Sequence, residues 1–234
     1  MKPNIVIMTS DSPRHAYFAR EIAKVIYPTV VVVESKEKLM SSNIDSEFKI
    51  FGDIKHREDV VMINKGEINS KEIINMIRSL DIDFGLVFGT SILKKPLINS
   101  ANSFYINIHT GLTQYYRGVD SCKWAIYNNE LDKIGVTIHK IDQGIDTGNI
   151  LYQDKTKILK GDTCEDIFMR TCKLGADLLC QNLDKIFKHE IPEVKLKKMG
   201  RLYRRRDMSE KIDKFLEKNC DIYVNSYLEK RNEK

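Results

Sequence analysis

The chain has 234 residues, of which 42% are hydrophobic and 30% are charged, and its formal net charge is +5. This length suits one large domain, alone or with a small appendage, and the composition excludes a disordered chain. No apolar run approaches the roughly 20 residues that cross a bilayer as a helix. The N-terminus lacks the long apolar run of a signal peptide, and the five cysteines show no C-x-x-C spacing. We therefore expect a cytoplasmic protein with neither a disulfide framework nor a metal site.

Predicted strands and helices alternate through the first two thirds of the chain. Residues 4–8 predict a strand, residues 13–26 a helix, and the valine run at 29–34 a strand buried on both faces. The next predicted elements are a helix at 70–80, strands at 84–88 and 104–108, a helix at 119–129, strands at 135–141 and 149–155, and a helix at 163–187. This order predicts a doubly wound α/β fold with a mostly parallel sheet, whose ligands bind at the carboxyl ends of the strands.

The last part of the chain differs in composition from the rest. We expect residues 1–192 to form the main domain and residues 193–234 a short C-terminal extension with a hairpin or a helix. The basic run at 195–206, KLKKMGRLYRRR, suits either a phosphate or nucleic-acid ligand or a solvated surface. The apolar residues of the extension are Ile212, Phe215, Leu216, Ile222, Val224, Tyr227 and Leu228. They predict docking on the main domain or on a second subunit of a homodimer.

Residues 104–130, FYINIHTGLTQYYRGVDSCKWAIYNNE, carry the first candidate site. Asn107 and His109 alternate along a predicted strand, so their side chains point to the same face at its end. A carboxamide and an imidazole side by side suit catalysis. An isolated N-x-H more often caps a turn, so this pair alone leaves both interpretations open.

Residues 134–151, IGVTIHKIDQGIDTGNIL, carry the second candidate site. Two strands rich in β-branched residues flank a loop of aspartates and glycines. Gly144 and Gly148 permit tight turns. Taken singly, Asp142 and Asp146 suit the capping of such turns.

Together, these two stretches resemble the formyltransferase family, which includes glycinamide ribonucleotide formyltransferase, methionyl-tRNA formyltransferase and the sugar N-formyltransferases. The family pattern is an N-x-H strand end, an R-G pair, a G-V-T-x-H strand and a D-x-G-x-D-x-G loop. Its parts stand in that order at residues 107–109, 117–118, 135–139 and 142–148. The resemblance implies a Rossmann-like catalytic domain at 1–192, which moves a formyl group from 10-formyltetrahydrofolate to an amine without a metal.

The resemblance implies that Asn107, His109 and Asp146 are the catalytic residues. Attack of an amine on the formyl carbon produces an oxyanion, which a carboxamide N–H and a protonated imidazole can stabilise. We assign Asn107 and His109 to that oxyanion, and relay of a proton is a second role open to His109. We expect Asp146 to raise the pKa of His109 and to polarise a proton relay. His139, which points off a strand, is expected to be structural.

The resemblance also implies a folate pocket between two segments. The predicted contacts are Phe88, Gly89, Thr90, Ser91, Ile92, Leu93, Ile141, Asp142 and Gly144. Backbone groups would bind the donor and acceptor edges of the pterin ring, and apolar side chains would bind its faces. Ile92 and Leu93 suit core packing equally well, so both interpretations stay open for them.

The acceptor amine is less clearly specified. Residues 9–15 lack the glycine-rich phosphate loop of the ribonucleotide enzyme, and the segment after Pro192 is too short for the barrel of the methionyl-tRNA enzyme. Because residues 111–130 also resemble the sugar-directed bacterial branch of the family, we favour a nucleotide-linked amino sugar for surface polysaccharide or glycoprotein synthesis. Tyr116, Arg117 and Trp124 would bind it by stacking and phosphate pairing, although they equally suit packing and loop bracing.

Three alternatives stay open. The basic run keeps a methionyl-tRNA acceptor, and with it nucleic-acid binding, under consideration. A formyltetrahydrofolate hydrolase would use water as acceptor, but the hydrolases of this family carry an additional N-terminal domain. An inactive folate-binding domain would not need Asn107, His109 and Asp146 together.

Overall fold

A computed structural model of the chain describes residues 2–36, 44–54 and 60–232, without the side chain of residue 232. The strands are β1 (Ile5–Ser10), β2 (Val30–Glu34), β3 (Val61–Ile63), β4 (Phe84–Val87), β5 (Phe104–His109), β6 (Tyr116–Gly118), β7 (Gly135–Lys140), β8 (Ile150–Lys155) and β9 (Arg201–Tyr203). The helices are α1 (Pro13–Val25), α2 (Ile44–Phe51), α3 (Lys71–Ser79), α4 (Lys95–Ile98), α5 (Ser121–Tyr127), α6 (Cys164–Phe187) and α7 (Glu210–Asn232). Each predicted element is present, with ends shifted by a few residues at most, whereas α2, β3, α4, β6 and β9 were not predicted.

Seven strands of the described residues form one sheet in the order β3-β2-β1-β4-β5-β7-β8. β1 pairs in parallel with both β2 and β4, and β3 and β5 extend this parallel part on either side. β7 is antiparallel to β5 and β8. The strand order reverses between β1 and β4, which is the kind of switch point where such sheets bind ligands. This topology confirms the predicted doubly wound, mostly parallel α/β fold.

Side-chain alternation along β1 explains the two layers that cover the sheet. Ile5 and Ile7 lie in a core with apolar residues of α1 and α6, whereas Val6 and Met8 lie in a core with those of α3. All four side chains are fully buried. Because both faces are covered, the parallel strands are continuous apolar runs rather than alternating ones.

Two helices begin at residues that cap them. The Ser70 side chain accepts a hydrogen bond from the Ile73 amide at the start of α3. Thr163 and Asp166 form a reciprocal capping box at the start of α6. Gly175 lets α6 approach the sheet closely, because a Cβ atom there would lie 2.6 Å from a methyl group of Ile108 on β5.

The C-terminal residues form a third core with the segment that follows β5. β9 pairs in parallel with β6. Leu216 and Val224 of α7 are buried in a cluster with Trp124 of α5. The extension therefore docks on the main domain, while Phe215 and Ile222 keep 36% and 58% of their surface exposed.

Cys164, Cys172 and Cys180 lie at intervals of eight along α6, and the five cysteines of the described residues are free thiols. No helix within the described ranges has the length and apolar character to cross a membrane. The same ranges contain no group of three or more side chains that could hold a metal ion.

Candidate active site

β5 ends in two polar residues, Asn107 and His109, at the carboxyl edge of the parallel sheet. The antiparallel register with β7 places His139 opposite Asn107 and Thr137 opposite His109. Residues two apart on a strand share a face, and so do residues directly opposite on neighbouring strands. The sheet therefore brings these four side chains together on one face.

Asp146 joins this cluster from the loop that follows β7. Its Oδ2 accepts a hydrogen bond from the Gly118 amide at 2.7 Å and lies 3.3 Å from Nδ1 of His109. Its Oδ1 lies 3.4 Å from Nε2 of His139. The φ angle of Asp146 is +51°, in the left-handed region. Aspartate visits this region more readily than most residues, at a cost of about 1–2 kcal/mol, so the surrounding contacts must hold it there.

The carboxyl group of Asp146 stays charged although it is buried. Burial favours the neutral acid, but the charge of His109, the contact with His139 and the Gly118 amide outweigh it. Together these partners hold the pKa of Asp146 well below its usual value of 3.8. The site therefore contains a fixed negative charge at neutral pH.

His109 is 5% exposed and lies between two oxygen acceptors. Nδ1 faces Asp146, whereas Nε2 lies 3.0 Å from the Tyr116 carbonyl oxygen and 3.2 Å from the Ser121 hydroxyl. Burial lowers the pKa of His109 below its ordinary value of 6.5, and Asp146 opposes this effect without reversing it. Burial thus weighs against the imidazolium that Asp146 favours, which corrects the expected rise in the pKa of His109.

Asn107 and His139 face each other, with Nδ2 of Asn107 3.2 Å from Nε2 of His139. Nδ1 of His139 donates to the Lys140 carbonyl oxygen at 2.8 Å. As a neutral ring, His139 accepts a hydrogen bond from Asn107 at Nε2, and as an imidazolium it donates there to Asp146. Among the described residues His139 is the one side-chain partner of Asn107, so the second N–H of the carboxamide can donate to a ligand.

His139 belongs to the family pattern, but it was expected to be a structural residue rather than a partner of the catalytic candidates. It contacts two of the three predicted catalytic residues, although it is 32 positions from Asn107. The G-V-T-I-H strand shows that His139 and Thr137 share a face. The strand that lies opposite, and its register, come only from the fold.

The first predicted folate segment, which follows β4, is divided between core and surface. Phe88 and Leu93 are buried, so they contribute to the core, whereas Ile92 is 62% exposed. Gly89 has a φ angle of +82°, and a Cβ atom there would lie 2.1 Å from a ring nitrogen of His15. The segment thus begins at a turn that requires glycine and leaves Ile92 open to a ligand.

The second predicted folate segment leads into the loop of Asp146. The Ile141 amide extends the pairing of β7 with β5 through a 2.8 Å hydrogen bond. Oδ1 of Asp142 accepts hydrogen bonds from the Gly144 amide at 3.0 Å and from the Thr147 hydroxyl at 2.6 Å. Asp142 therefore caps the turn that presents Asp146.

Two of the predicted acceptor contacts, Tyr116 and Trp124, lie in the third core. They are 3% and 5% exposed. Both rings stack on Tyr203 of β9, with centroid distances of 6.0 and 4.2 Å. Tyr116 and Trp124 thus have the packing role that the sequence left open as their alternative. Either ring could contact an acceptor only if the third core opened.

Arg117 connects the loop that carries Asp146 to the extension. Nε donates to the Gly200 carbonyl oxygen at 2.9 Å, and Nη1 donates to the Ile145 carbonyl oxygen at 3.1 Å. The Gly200 amide in turn donates to the Thr113 carbonyl oxygen at 3.0 Å. Arg117 thus holds the backbone of Ile145, the residue next to Asp146. This is the loop-bracing role that the sequence left open for Arg117.

The family model described as Formyl transferase matches residues 3–183. The chain belongs to the formyl transferase family. The methionyl-tRNA formyltransferase of Nostoc sp. is 32% identical to this formyl transferase over 124 residues, which cover 53% of this chain and 36% of that relative. The match thus spans less than half the length of the relative.

Two solved structures share the fold of this chain. The N-formyltransferase of Helicobacter canadensis, in complex with folinic acid and dTDP-3-aminofucose, matches with a TM-score of 0.61 at 21% identity, over 89% of this chain and 73% of that one. PseJ from Anoxybacillus kamchatkensis, in complex with UDP-4,6-dideoxy-4-formamido-L-AltNAc and tetrahydrofolate, matches with a TM-score of 0.62 at 19% identity, over 95% and 96% of the two chains. The predicted family and fold are confirmed.

Proposed function

We propose that this formyl transferase moves the formyl group of 10-formyltetrahydrofolate to the amine of a nucleotide-linked amino sugar. The observation that carries the proposal is the contact of Asp146 with both His109 and His139, beside Asn107. The reaction removes a proton from an amine and supplies one to a folate nitrogen. A carboxylate, two imidazoles and a carboxamide on one face of the sheet provide suitable donors and acceptors.

Asn107 is proposed to stabilise the oxyanion. The amine attacks the formyl carbon, and the former carbonyl oxygen of the tetrahedral intermediate carries the negative charge. The bond from that carbon to N10 of the folate then breaks. An N–H donor that His139 already orients needs no reorganisation when this charge develops, and such a donor contributes about 3 kcal/mol to catalysis.

His109 is proposed to hold the proton between the amine and the folate nitrogen. Burial lowers its pKa, so the protonated ring gives up its proton more readily than a free imidazolium does. Once protonated, it has an acceptor at each nitrogen, since Asp146 lies at Nδ1 and the Tyr116 carbonyl oxygen at Nε2. The charge of Asp146 stabilises the imidazolium, and the proton then passes to N10 as the leaving group departs.

The nucleotide-linked sugars in two neighbouring structures of the fold motivate the amino-sugar acceptor. PseJ, whose structure contains a UDP-linked formamido sugar, matches over 95% of this chain and 96% of its own. The alignment with the Nostoc methionyl-tRNA enzyme covers 36% of that enzyme. The acceptor of this protein is therefore proposed from the sugar-directed members of the fold.

A methionyl-tRNA acceptor is the second candidate. The lysines and arginines of residues 195–206 are all exposed. β9 lies within this run and is tied through Arg117 to the loop of Asp146. A basic surface at this place suits a polyanionic acceptor.

The test is incubation of the purified protein with 10-formyltetrahydrofolate and a panel of dTDP- and UDP-linked amino sugars. Release of tetrahydrofolate is followed by absorbance, and the product by mass. A gain of one formyl group on a sugar supports the proposal, and the Asn107→Ala protein should lose that product while the Asp154→Asn protein, changed at an exposed position, keeps it. Formylation of charged initiator tRNA alone would replace the sugar with the second candidate. Formate release without an acceptor would indicate a hydrolase.

A further inference from the structure

Glu34, the last residue of β2, has a buried carboxylate that contacts two loops beyond its own strand. Oε1 accepts a hydrogen bond from the Gly66 amide at 2.7 Å, and Oε2 accepts one from the Ser91 amide at 2.5 Å. The residue is 3% exposed. β1 lies between β2 and β4 in the sheet, so the contact with Ser91 passes over the end of a strand. One side chain thus ties the loop after β3 to the loop after β4.

Asn69 makes a second tie between the same two loops. It ends the short 3-10 turn Glu67–Asn69 that follows Gly66. Its Nδ2 donates to the Ile92 carbonyl oxygen at 3.0 Å, and its Oδ1 accepts a hydrogen bond from the Lys94 amide at 2.6 Å. Glu34 and Asn69 together hold the backbone at residues 91, 92 and 94.

The hydrogen bonds of Glu34 and Asn69 hold the backbone on both sides of the exposed Ile92 side chain. Ile92 is 62% exposed, whereas its neighbour Leu93 is 5% exposed. A single exposed isoleucine is common on protein surfaces. Here the backbone that carries it is held by side chains from two other elements, so little conformational freedom is left for a ligand to remove. The loop therefore presents Ile92 in a fixed position at the ligand-binding edge of the sheet.

We propose that Glu34 and Asn69 are positioning residues that preform residues 89–94 for the pterin ring of the folate, with Ile92 as its apolar contact. The proposal rests on the folate-dependent function proposed above. Glu34 and Asn69 act through the backbone of the loop and stay remote from the formyl carbon. They set the affinity for folate rather than the rate of transfer, because a loop binds the edge of a planar ring only when its backbone groups are fixed.

The residue type at position 34 gives the proposal a sharp test. A carboxylate accepts hydrogen bonds at both oxygens, whereas a carboxamide accepts at one and donates at the other. Glu34→Gln keeps the shape of the side chain but turns an NH2 group toward the amide of Gly66 or Ser91. One loop amide then loses its partner, and the loop loosens without a cavity.

The experiment measures the dissociation constant of 5-formyltetrahydrofolate, a folate that does not transfer its formyl group, by calorimetry on the purified 234-residue protein. We expect Glu34→Gln, which loses one hydrogen bond, to weaken binding about tenfold, and Asn69→Ala, which loses two, to weaken it at least as much. In the transfer assay, KM for 10-formyltetrahydrofolate should rise by the same factor, and kcat should stay within about twofold. Asn69→Asp, which keeps the acceptor for Lys94, should recover part of the affinity.

Two control variants separate positioning from general destabilisation. Thr156→Val removes a buried hydrogen bond to Thr171, and Asn182→Ala removes a partly buried one to the Leu178 carbonyl oxygen on α6. Both substitutions lie outside the loops that Glu34 and Asn69 contact, and they should leave folate affinity unchanged.

Unchanged affinity in folded Glu34→Gln and Asn69→Ala proteins, or a loss of kcat with constant KM, would overturn the positioning role. If Glu34→Gln does not fold, the folate affinities of Asn69→Ala and Asn69→Asp decide whether the positioning role holds. Failure of the unchanged protein to bind folate would overturn the proposed function itself, and the positioning role with it.

Discussion

Asn107 and His139 lie directly opposite each other on β5 and β7, and Nδ2 of Asn107 is 3.2 Å from Nε2 of His139. The same imidazole nitrogen lies 3.4 Å from the carboxylate of Asp146. His139 thus connects the proposed oxyanion donor to the fixed negative charge of the site. A substitution of Asn107 or of Asp146 should therefore alter the position of the other side chain through His139.

Replacement of Asp146 by asparagine tests the role of that charge. Asp146→Asn keeps the size of the side chain but removes the charge that stabilises a protonated His109. We expect kcat to fall by about 10²–10⁴-fold, the range for loss of acid–base assistance. Single-turnover formyl transfer measures the effect, with Asp154→Asn as the matched control on β8. An Asp146→Asn enzyme with normal turnover would exclude a catalytic role for this residue.

Replacement of His139 by leucine tests whether this residue orients Asn107. The leucine fills similar space but cannot hold the carboxamide or contact Asp146. We expect kcat to fall by about 10-fold to 100-fold, because one oxyanion donor loses its orientation. Folate affinity should stay constant, since the loop at 89–94 is unchanged. If the variant retains full activity and loses only stability, His139 is a packing residue, as the sequence suggested.

The stability of the protein should fall as the pH falls below about 6.5, because of His15. This residue is buried, and Nδ1 lies 2.5 Å from the Ser10 hydroxyl and 2.7 Å from the Ser12 hydroxyl. Burial, with Arg14 and Lys36 nearby, lowers its pKa well below 6.5 in the folded protein. The unfolded chain therefore binds the proton first, so stability is fully present above pH 6.5 and declines below it, by up to about 1.4 kcal/mol per pH unit for one proton.

Urea unfolding between pH 5 and pH 8 measures this effect. His15→Gln has no titrating ring, so its free energy of unfolding should vary less with pH than that of the unchanged protein. Some dependence should remain, because the pKa of His109 is lowered as well. Equal slopes in the two proteins would show that His15 does not titrate differently on folding.

The stacked rings of the third core predict where the extension gains its stability. Tyr203 lies against both Trp124 and Tyr116. Tyr203→Ala should lower the free energy of unfolding by about 3–5 kcal/mol, the usual effect of truncating a buried aromatic residue. Chemical unfolding gives this value, and calorimetry with 5-formyltetrahydrofolate should show an unchanged dissociation constant. A large loss of folate affinity would instead connect the extension to the folate pocket.

The sequence by itself determined the family, the α/β fold and the identity of three residues that the fold brings together. Asn107 and His109 were recognisable because alternation along a strand is local, and Asp146 because its loop pattern is contiguous. The parallel strands were recognisable because burial on both faces requires uninterrupted apolar runs, such as the valines of β2. These features depend on neighbours within a few residues, which a sequence displays directly.

The tertiary structure alone decided which distant groups meet. The register of β5 with β7 places His139 against Asn107, and no local pattern encodes a register between strands about 30 positions apart. The docking of β9 places Tyr203 on Tyr116 and Trp124, which turned two expected ligand contacts into core residues. Burial around His109 set the sign of its pKa shift against the attraction of Asp146. Desolvation depends on everything that surrounds a group in space, so it becomes known only when the chain is folded.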